Sequence, residues 1–350
     1  MSKLEKTQLQ LGYIPLLDCI ALLWAKQQGF FEEVDLDVTL VKEASWASLR
    51  DRLAFGLLDA AHCLSAMLPA AAMGADQIGI ALQTPLVLSK NRAFISLSQK
   101  LIYQLAIQES DNAQTTAQKV IQYIEQDHTL SLANVFKHSI HHYCLREWLA
   151  LADSRIAQTL KLKALPPPYM VEALDNHVID GFCVGEPWNT QGELLGLSKI
   201  VCSSQDIIPN VADKVLAVTQ EWAEQHPQTL VALTTAIMKA QKELSNLKDF
   251  APILKLLVEF GIVRFHCSEE VHVDKYYMIQ NIVKYLVKEN AAPQPEDFHW
   301  LFQQMQKWEK LQLAPDQIIE LSAQCINLDC YNQAKLYKIL KHIIKKSCLY

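Results

Sequence analysis

Glycine is scarce. Only 10 of 350 residues are Gly, less than half of the usual share of about 7%. They form no GxGxxG and no GxxxxGK[ST], so glycine-cradled phosphate sites of the Rossmann and P-loop kinds are excluded. GxSxG, HExxH and EF-hand loops are missing too, which removes the usual signatures of a serine hydrolase, a zincin and a calcium loop. The 9 cysteines are scattered, odd in number and contain no CxxC, so neither a disulfide framework nor a zinc ribbon is expected. A basic surplus is absent. Lys+Arg is 32, Asp+Glu is 38 and the net charge is −6, so direct nucleic-acid binding through a bulk positive field is not expected. Long apolar runs are absent as well. The longest, 64–75, contains Pro69 and falls short of the roughly 20 residues of a membrane span. The start, MSKLEKTQLQLGYIPLL, lacks the apolar run and small-residue cleavage site of an export signal. The expectation is a cytoplasmic chain without a membrane span.

What is present is a globular composition, 50% hydrophobic and 20% charged, long enough for about two domains of roughly 150 residues. The first ninety residues alternate element types. A strand at 9–14 precedes a helix at 16–28 that ends at Gly29. Val34, Leu36, Val38 and Leu40 alternate as a strand. Ser48 is placed to cap a helix through Leu53 that stops at Gly56. Strands at 58–64 and 78–82 flank a helix at 66–73. Such repetition predicts α/β lobes with mostly parallel sheets. The segments LDAAHCL (58–64) and IDGFCVG (179–185) echo each other, which suggests two lobes of similar design. Beyond 212 a short strand at 215–218 is followed by helices, among them 232–247, 251–260, 314–325 and 334–348. The triplet Pro166-Pro167-Pro168 predicts an extended, rigid segment.

Three groups invite chemical readings. His138, His141 and His142 would share a helix face at i, i+3, i+4, and Cys144 follows. No carboxylate or second cysteine lies at ligand spacing, so a polar face with one histidine aimed at a ligand is preferred over zinc. The basic C-terminal stretch, with Lys335, Lys338, Lys341, Lys345 and Lys346, reads as a terminal helix docked on its own lobe, with a partner or membrane surface as the alternative. Cys325 and Cys330 read as buried thiols rather than a redox pair.

Three strings go further: LGYIPLLDCIALLWAKQQGFFEE (11–33), KEASWASLRDRLAFGLLDAAH (42–62) and PPPYMVEALDNHVIDGFCVGEPWN (166–189). Through them the sequence resembles the nitrate- and bicarbonate-binding proteins of bacterial ABC uptake systems, the NrtA-like family, over about residues 8 to 305. EASW and CVGEPWN are specific to that group within a large superfamily. The resemblance implies the type II periplasmic-binding-protein-like fold: two α/β lobes joined by two crossing strands, a ligand cleft between them, and here extra C-terminal helices. It implies a first lobe of 1–92 plus 206–350 and a second of 93–205. With no export signal read, the sequence is most like the unexported, NasS-like branch. There the fold is a non-enzymatic nitrate/nitrite sensor, without cofactor or metal, that holds and releases an RNA-binding antiterminator with an ANTAR domain. The alternatives are a solute-binding component, or detached regulatory domain, of a nitrate ABC transporter. A thiamine-pyrimidine-synthase-like enzyme on the same fold is a further one, though its cysteine cluster is not seen.

The resemblance also implies a pocket. Trp46 is the tryptophan of EASW, His141 opens the helix HHYCLREWLA, and Pro167 is the middle proline of the triplet. Val184, Gly185 and Glu186 come from CVGEP, and Lys214 lies in ADKVLAV. Bicarbonate binders carry an acid at the Lys214 position that helps hold a metal, so a lysine implies a bare monovalent anion. One position departs. The family's amide side chain is replaced by Ala93, leaving Arg92 as a substitute donor and the choice of oxyanion open. Lysine supplies charge, imidazole and indole supply N–H groups, and Glu186 either bonds the second imidazole nitrogen or offsets Lys214 in the empty site. On this expectation the anion bridges the lobes, with Trp46 on one, His141 and Glu186 on the other, and Lys214 at the crossing.

Overall fold

The computed structural model describes residues 3–265, 272–288 and 292–336. Among the described residues there are ten strands: β1 (Gln8–Tyr13), β2 (Asp37–Lys42), β3 (Ala60–Leu64), β4 (Leu82–Lys90), β5 (Ala93–Ser98), β6 (Leu132–Asn134), β7 (Lys163–Ala164), β8 (Gly181–Gly185), β9 (Ser198–Ser203) and β10 (Ala212–Thr219). They form two five-stranded sheets, ordered β2-β1-β3-β10-β4 and β7-β6-β8-β5-β9. The two orders repeat one design, and the echoing segments fall on its equivalent third strands, β3 and β8.

The sheets are mixed rather than mostly parallel. β10 runs antiparallel to β3 and β4, and β5 antiparallel to β8 and β9. Both are entered by a change of sheet. β4 leads to β5 through 91–92, and β9 returns to β10 through 204–211. An antiparallel neighbour needs no crossover helix, so alternation alone does not reveal these two strands.

Local chemistry moves some boundaries. The expected strand at 78–82 is absent. Asp76 Oδ1 accepts from the backbone N–H of Ile78 and Gly79, both at 3.0 Å, and Gly79 adopts φ +70, so this stretch turns and β4 begins at Leu82. The helix Trp46–Ala54 is capped by Ser45, whose side chain accepts from Ser48 N at 3.1 Å, not by Ser48. Only Pro166 of the triplet is extended, and Pro167–Tyr169 is a 3-10 turn. Proline's fixed φ suits both conformations.

The C-terminal helices run Pro227–Asn246, Ala251–Glu259, Val273–Lys288, Pro295–Glu309 and Pro315–Gln324, and helical backbone follows at 328–336. Four of the five named helices carry proline in the first turn, where its missing N–H is not needed. Lys338, Lys341, Lys345 and Lys346 of the expected terminal helix lie outside the described residues. Cys325 and Cys330 are buried in separate core clusters. Burial pushes the Cys330 thiol up to about 12, as expected of an inert core cysteine.

Two of these helices tie the second sheet's layer to the rest. Lys275 pairs with Glu193, and Glu309 accepts from Tyr143 Oη at 3.0 Å while lying 2.8 Å from Lys137 Nζ and 3.3 Å from His138 Nε2. Burial alone would raise the Glu309 pKa, but the hydrogen bonds from His138 and Lys137 outweigh it and hold it at about 2. A lowered folded pKa gives stability that is present above the ordinary carboxylate range and lost as pH falls towards about 2. Glu309→Gln is therefore expected to cost about 1–2 kcal/mol at neutral pH, and little near pH 2. Urea titrations at the two pH values check this, and equal losses at both would contradict it.

Candidate functional site

The site is built where β10 re-enters the first sheet. Register shifts at Lys214 break the strict alternation of side chains, and consecutive residues meet: Asp213 Oδ2 lies 2.6 Å from Lys214 Nζ. On the other side of the ammonium stands Asp18, from the 3-10 turn Leu17–Cys19 that follows β1. Its Oδ2 is 3.1 Å from Lys214 Nζ, and its Oδ1 is 2.8 Å from Nε2 of His62 on β3. Trp46 covers this group. Its ring centroid is 5.7 Å from the ammonium and 5.7 Å from the His62 ring. Lys214, His62 and His141 are 0% exposed.

The second lobe approaches through β8 and the helix Ile140–Ala150. Ser139 Oγ caps that helix by accepting from His142 N at 3.1 Å, which places His141 in the first turn. β8 ends at Gly185, paired with Ala93, and Leu17 N donates to the Glu186 carbonyl at 2.9 Å. Gly185 is where the two lobes face each other. A Cβ added there would lie 3.8 Å from His141 Nε2 and 3.9 Å from Asp18 Oδ2.

Six polar atoms of this buried region have no hydrogen-bond partner among the described residues: Trp46 Nε1, His62 Nδ1, both ring nitrogens of His141, Glu186 Oε1 and Asp213 Oδ1. Lys214 Nζ faces carboxylate oxygens at 2.6 and 3.1 Å, and an ammonium has three N–H groups, so one is left over. Buried polar atoms are nearly always satisfied, and each failure costs about 1–3 kcal/mol. Such a concentration makes this the candidate site, since a ligand with complementary atoms would satisfy it.

Burial lowers the pKa of His141 well below its ordinary value, and the Lys214 ammonium adds to the effect. His62 is lowered by burial against the pull of Asp18, so both rings are neutral near pH 7. Burial disfavours the Lys214 ammonium, but Asp18 and Asp213 outweigh it and raise its pKa. Burial also disfavours the Asp18 carboxylate, but Lys214 and His62 hold its pKa down. Burial pushes Asp213 up to about 6 against the pull of Lys214, with the Asp18 charge reinforcing it. Burial raises Glu186 to about 7, against a backbone hydrogen bond from Thr190.

The expected residues divide. Trp46, His141, Gly185 and Lys214 come together. Glu186 adjoins them through its backbone, but its Oε2 accepts from Thr190 N at 3.1 Å and Lys214 is offset by Asp18 and Asp213 instead. Pro167 and Val184 are buried in the second lobe and bring no free polar atom. The Val184 carbonyl accepts from Asn189 Nδ2 at 2.8 Å. Arg92 stands at the crossing, where its guanidinium meets Gln205 and lies 4.6 Å from the Tyr285 ring centroid. The three histidines do not share a helix face. His138 precedes the capped helix and meets Glu309, while His142 Nδ1 lies 3.3 Å from Asn134 Nδ2. No His/Cys/Asp/Glu group among the described residues has metal-holding geometry, and no described helix is long and apolar enough to cross a membrane.

Asp18, His62 and Asp213 had not been singled out. Asp18 leaves a trace, a lone acid inside the apolar run GYIPLLDCIALL. Asp213 leaves none, because strict alternation would point it away from Lys214. Gly185→Ala follows as a direct test of the space. The backbone there is not in the positive-φ region, and the added methyl meets atoms at 3.6 Å or more, so folding should be nearly unaffected. A ligand between His141 and Asp18 would collide with it. The expected result in a calorimetric nitrate titration is a loss of about tenfold or more, or about 1.4 kcal/mol. Unchanged affinity would place the ligand elsewhere.

A family model described as the NMT1-like family matches residues 2–258. The chain is 30% identical over 343 residues to the nitrate import ATP-binding protein NrtC of Synechocystis sp. PCC 6803, covering 95% of this chain and 50% of that protein. It is 37% identical over 240 residues to the bicarbonate transport ATP-binding protein CmpC of the same organism, covering 68% of this chain and 35% of that one. It thus spans half or less of the length of these relatives. The crystal structure of the periplasmic nitrate-binding protein NrtA from Synechocystis PCC 6803 superposes with a TM-score of 0.79 at 21% identity, covering 96% of this chain and 90% of that one. The fold is accordingly the periplasmic-binding-protein type, two α/β lobes with added C-terminal helices.

Proposed function

The chain belongs to the NMT1-like family, and from that premise we propose that it binds a small monovalent oxyanion, nitrate or nitrite, between its lobes. The observation that carries this is the buried set of donors drawn from both lobes: Trp46 Nε1 and a ring nitrogen of His141, both unpartnered, beside the Lys214 ammonium, which has one N–H more than its two carboxylate contacts use. An anion with only acceptor oxygens satisfies all three, and charge-assisted hydrogen bonds contribute about 1.5–3 kcal/mol each. The names of the relatives, nitrate and bicarbonate transport proteins, support the same class of ligand.

The finer role is a switch. The segment 93–205 closes on 1–92 plus 206–350 when the anion joins them, because a ligand shifts an equilibrium by its differential affinity. A change from 1:99 to 99:1 takes about 5.5 kcal/mol of that difference, within reach of two or three such bonds. The chain acts in the cytoplasm, in the manner of the NasS-like branch, holding an ANTAR-domain antiterminator and releasing it when the anion binds. EASW and CVGEPWN support the anion-binding part of this reading, and the antiterminator part rests on the likeness to the NasS-like branch alone. Co-purification with such an antiterminator, with and without nitrate, tests it. Release by the anion is expected, and a complex indifferent to both nitrate and nitrite defeats the sensor role.

A second reading rests on one observation. The match to NrtC covers nearly this whole chain but half of that protein. The chain then serves as the ligand-binding or regulatory part of an anion transporter. Binding nitrate tightly without retaining any antiterminator favours this alternative.

A further inference from the structure

We propose that the site takes up its anion together with one proton, and that the Asp213 carboxylate receives that proton. This deepens, and rests on, the proposed binding of nitrate or nitrite. The geometry that points to it is the charge inventory around one ammonium. Two carboxylates, Asp18 at 3.1 Å and Asp213 at 2.6 Å, flank Lys214. All three are at least 94% buried, with exposures of 6%, 3% and 0%. With both acids ionised the group carries one surplus negative charge. An incoming anion makes it two, in a place where water does not reach, and uncompensated buried charge is strongly disfavoured. One proton restores the balance of the resting cluster.

The choice between the two acids follows from their partners. Both oxygens of Asp18 are engaged, Oδ1 by His62 and Oδ2 by Lys214. Asp213 Oδ1 has no partner. A protonated Asp213 gains an O–H donor at that free oxygen, and a carboxylic acid donates where a carboxylate only accepts. For an acceptor-only anion this converts a repelling neighbour into a further hydrogen-bond donor. A proton on His141 would instead set an imidazolium beside the buried ammonium.

The other groups around Asp213 do not remove the surplus. From β3 His62 faces the cluster, already committed to Asp18. From the second lobe come His141, neutral and unpartnered, and Glu186, bonded to Thr190. At the neighbouring crossing Lys90 of β4 lies 4.0 Å from Asp297, which offsets its charge. The electrostatics of the two acids follow from the same geometry. Burial, against the pull of Lys214 and with the Asp18 charge, raises Asp213 to about 6, while Lys214 and His62 together hold Asp18 down against burial.

The experiment is calorimetric titration of the intact protein with sodium nitrate, in phosphate and in Tris at about pH 7.5, then across about pH 5 to 8.5. Binding is expected to take up close to one proton at the higher pH, seen as a difference in heat between the buffers. The dissociation constant should be flat below about pH 6 and weaken about tenfold per unit above it. Equal heats in the two buffers with a pH-independent constant overturn the proposal and leave the anion reading intact. No binding at any pH defeats both. Asp213→Asn should abolish the proton uptake. Uptake that persists in Asp213→Asn and disappears in Glu186→Gln moves the proton to Glu186 and overturns the assignment. Should either variant fail to fold, the buffer comparison on the unaltered protein still decides whether a proton is bound.

Discussion

Lys214→Ala is expected to weaken nitrate binding by at least about a hundredfold, or roughly 2.7 kcal/mol. The ammonium is the one permanent positive charge in the buried cluster among the described residues, and it has one N–H more than its two carboxylate contacts use. Its removal takes away a charge-assisted bond and leaves the anion beside two aspartates. The same substitution strands Asp18 and Asp213, each within 3.1 Å of the missing group. Breaking a buried pair from one side costs about 3–5 kcal/mol of folding stability, though protonation of Asp213 offsets part of that near pH 6. Calorimetry at about pH 6, with circular dichroism to show that the variant is folded, separates the two effects. A folded variant with unchanged affinity removes Lys214 from the site.

Trp46, His141, Gly185 and Lys214 are legible in the chain through the resemblance, because each stands in a short string that the family shares. The caps that set two of them, Ser45 and Ser139, are not what points to them. The two antiparallel strands were not legible as such, since pairing direction depends on partners far away in sequence. The pairing of Asp213 with Lys214 depends on a register irregularity in β10. An alternating pattern cannot show that, because it assumes consecutive side chains point apart. The His138–His141–His142 face failed for a local reason, the Ser139 cap, which starts the helix at Ile140, two residues beyond His138. The role of Glu186 failed for a tertiary one. The turn after β1 delivers Asp18 to the ammonium and leaves Glu186 with Thr190.

The two aspartates on one ammonium should respond to neutralisation with opposite signs. Asp18 is held below the ordinary carboxylate range because Lys214 and His62 outweigh its burial. Its contribution to stability is present above its unfolded pKa, near 4, and disappears as pH falls below that value. Asp18→Asn at about pH 7.5 takes the carboxylate from His62 and leaves Lys214 with Asp213 alone. A loss of about 1.5–3 kcal/mol is expected, that of a charge-assisted hydrogen bond. Asp213 is the reverse case. Its folded pKa is raised to about 6 by burial and by the charge of Asp18. Its stabilising contribution is complete below its unfolded pKa and is lost as pH rises through about 6. At about pH 7.5 the ionised side chain is a burden on the fold. Asp213→Asn should therefore raise stability there, on the order of 1–2 kcal/mol, and do so little below about pH 4. Urea unfolding of both variants at the two pH values measures the signs. If Asp213→Asn destabilises as much as Asp18→Asn at about pH 7.5, ionised Asp213 is no burden on the fold, and it is not the acid on which a ligand's proton settles.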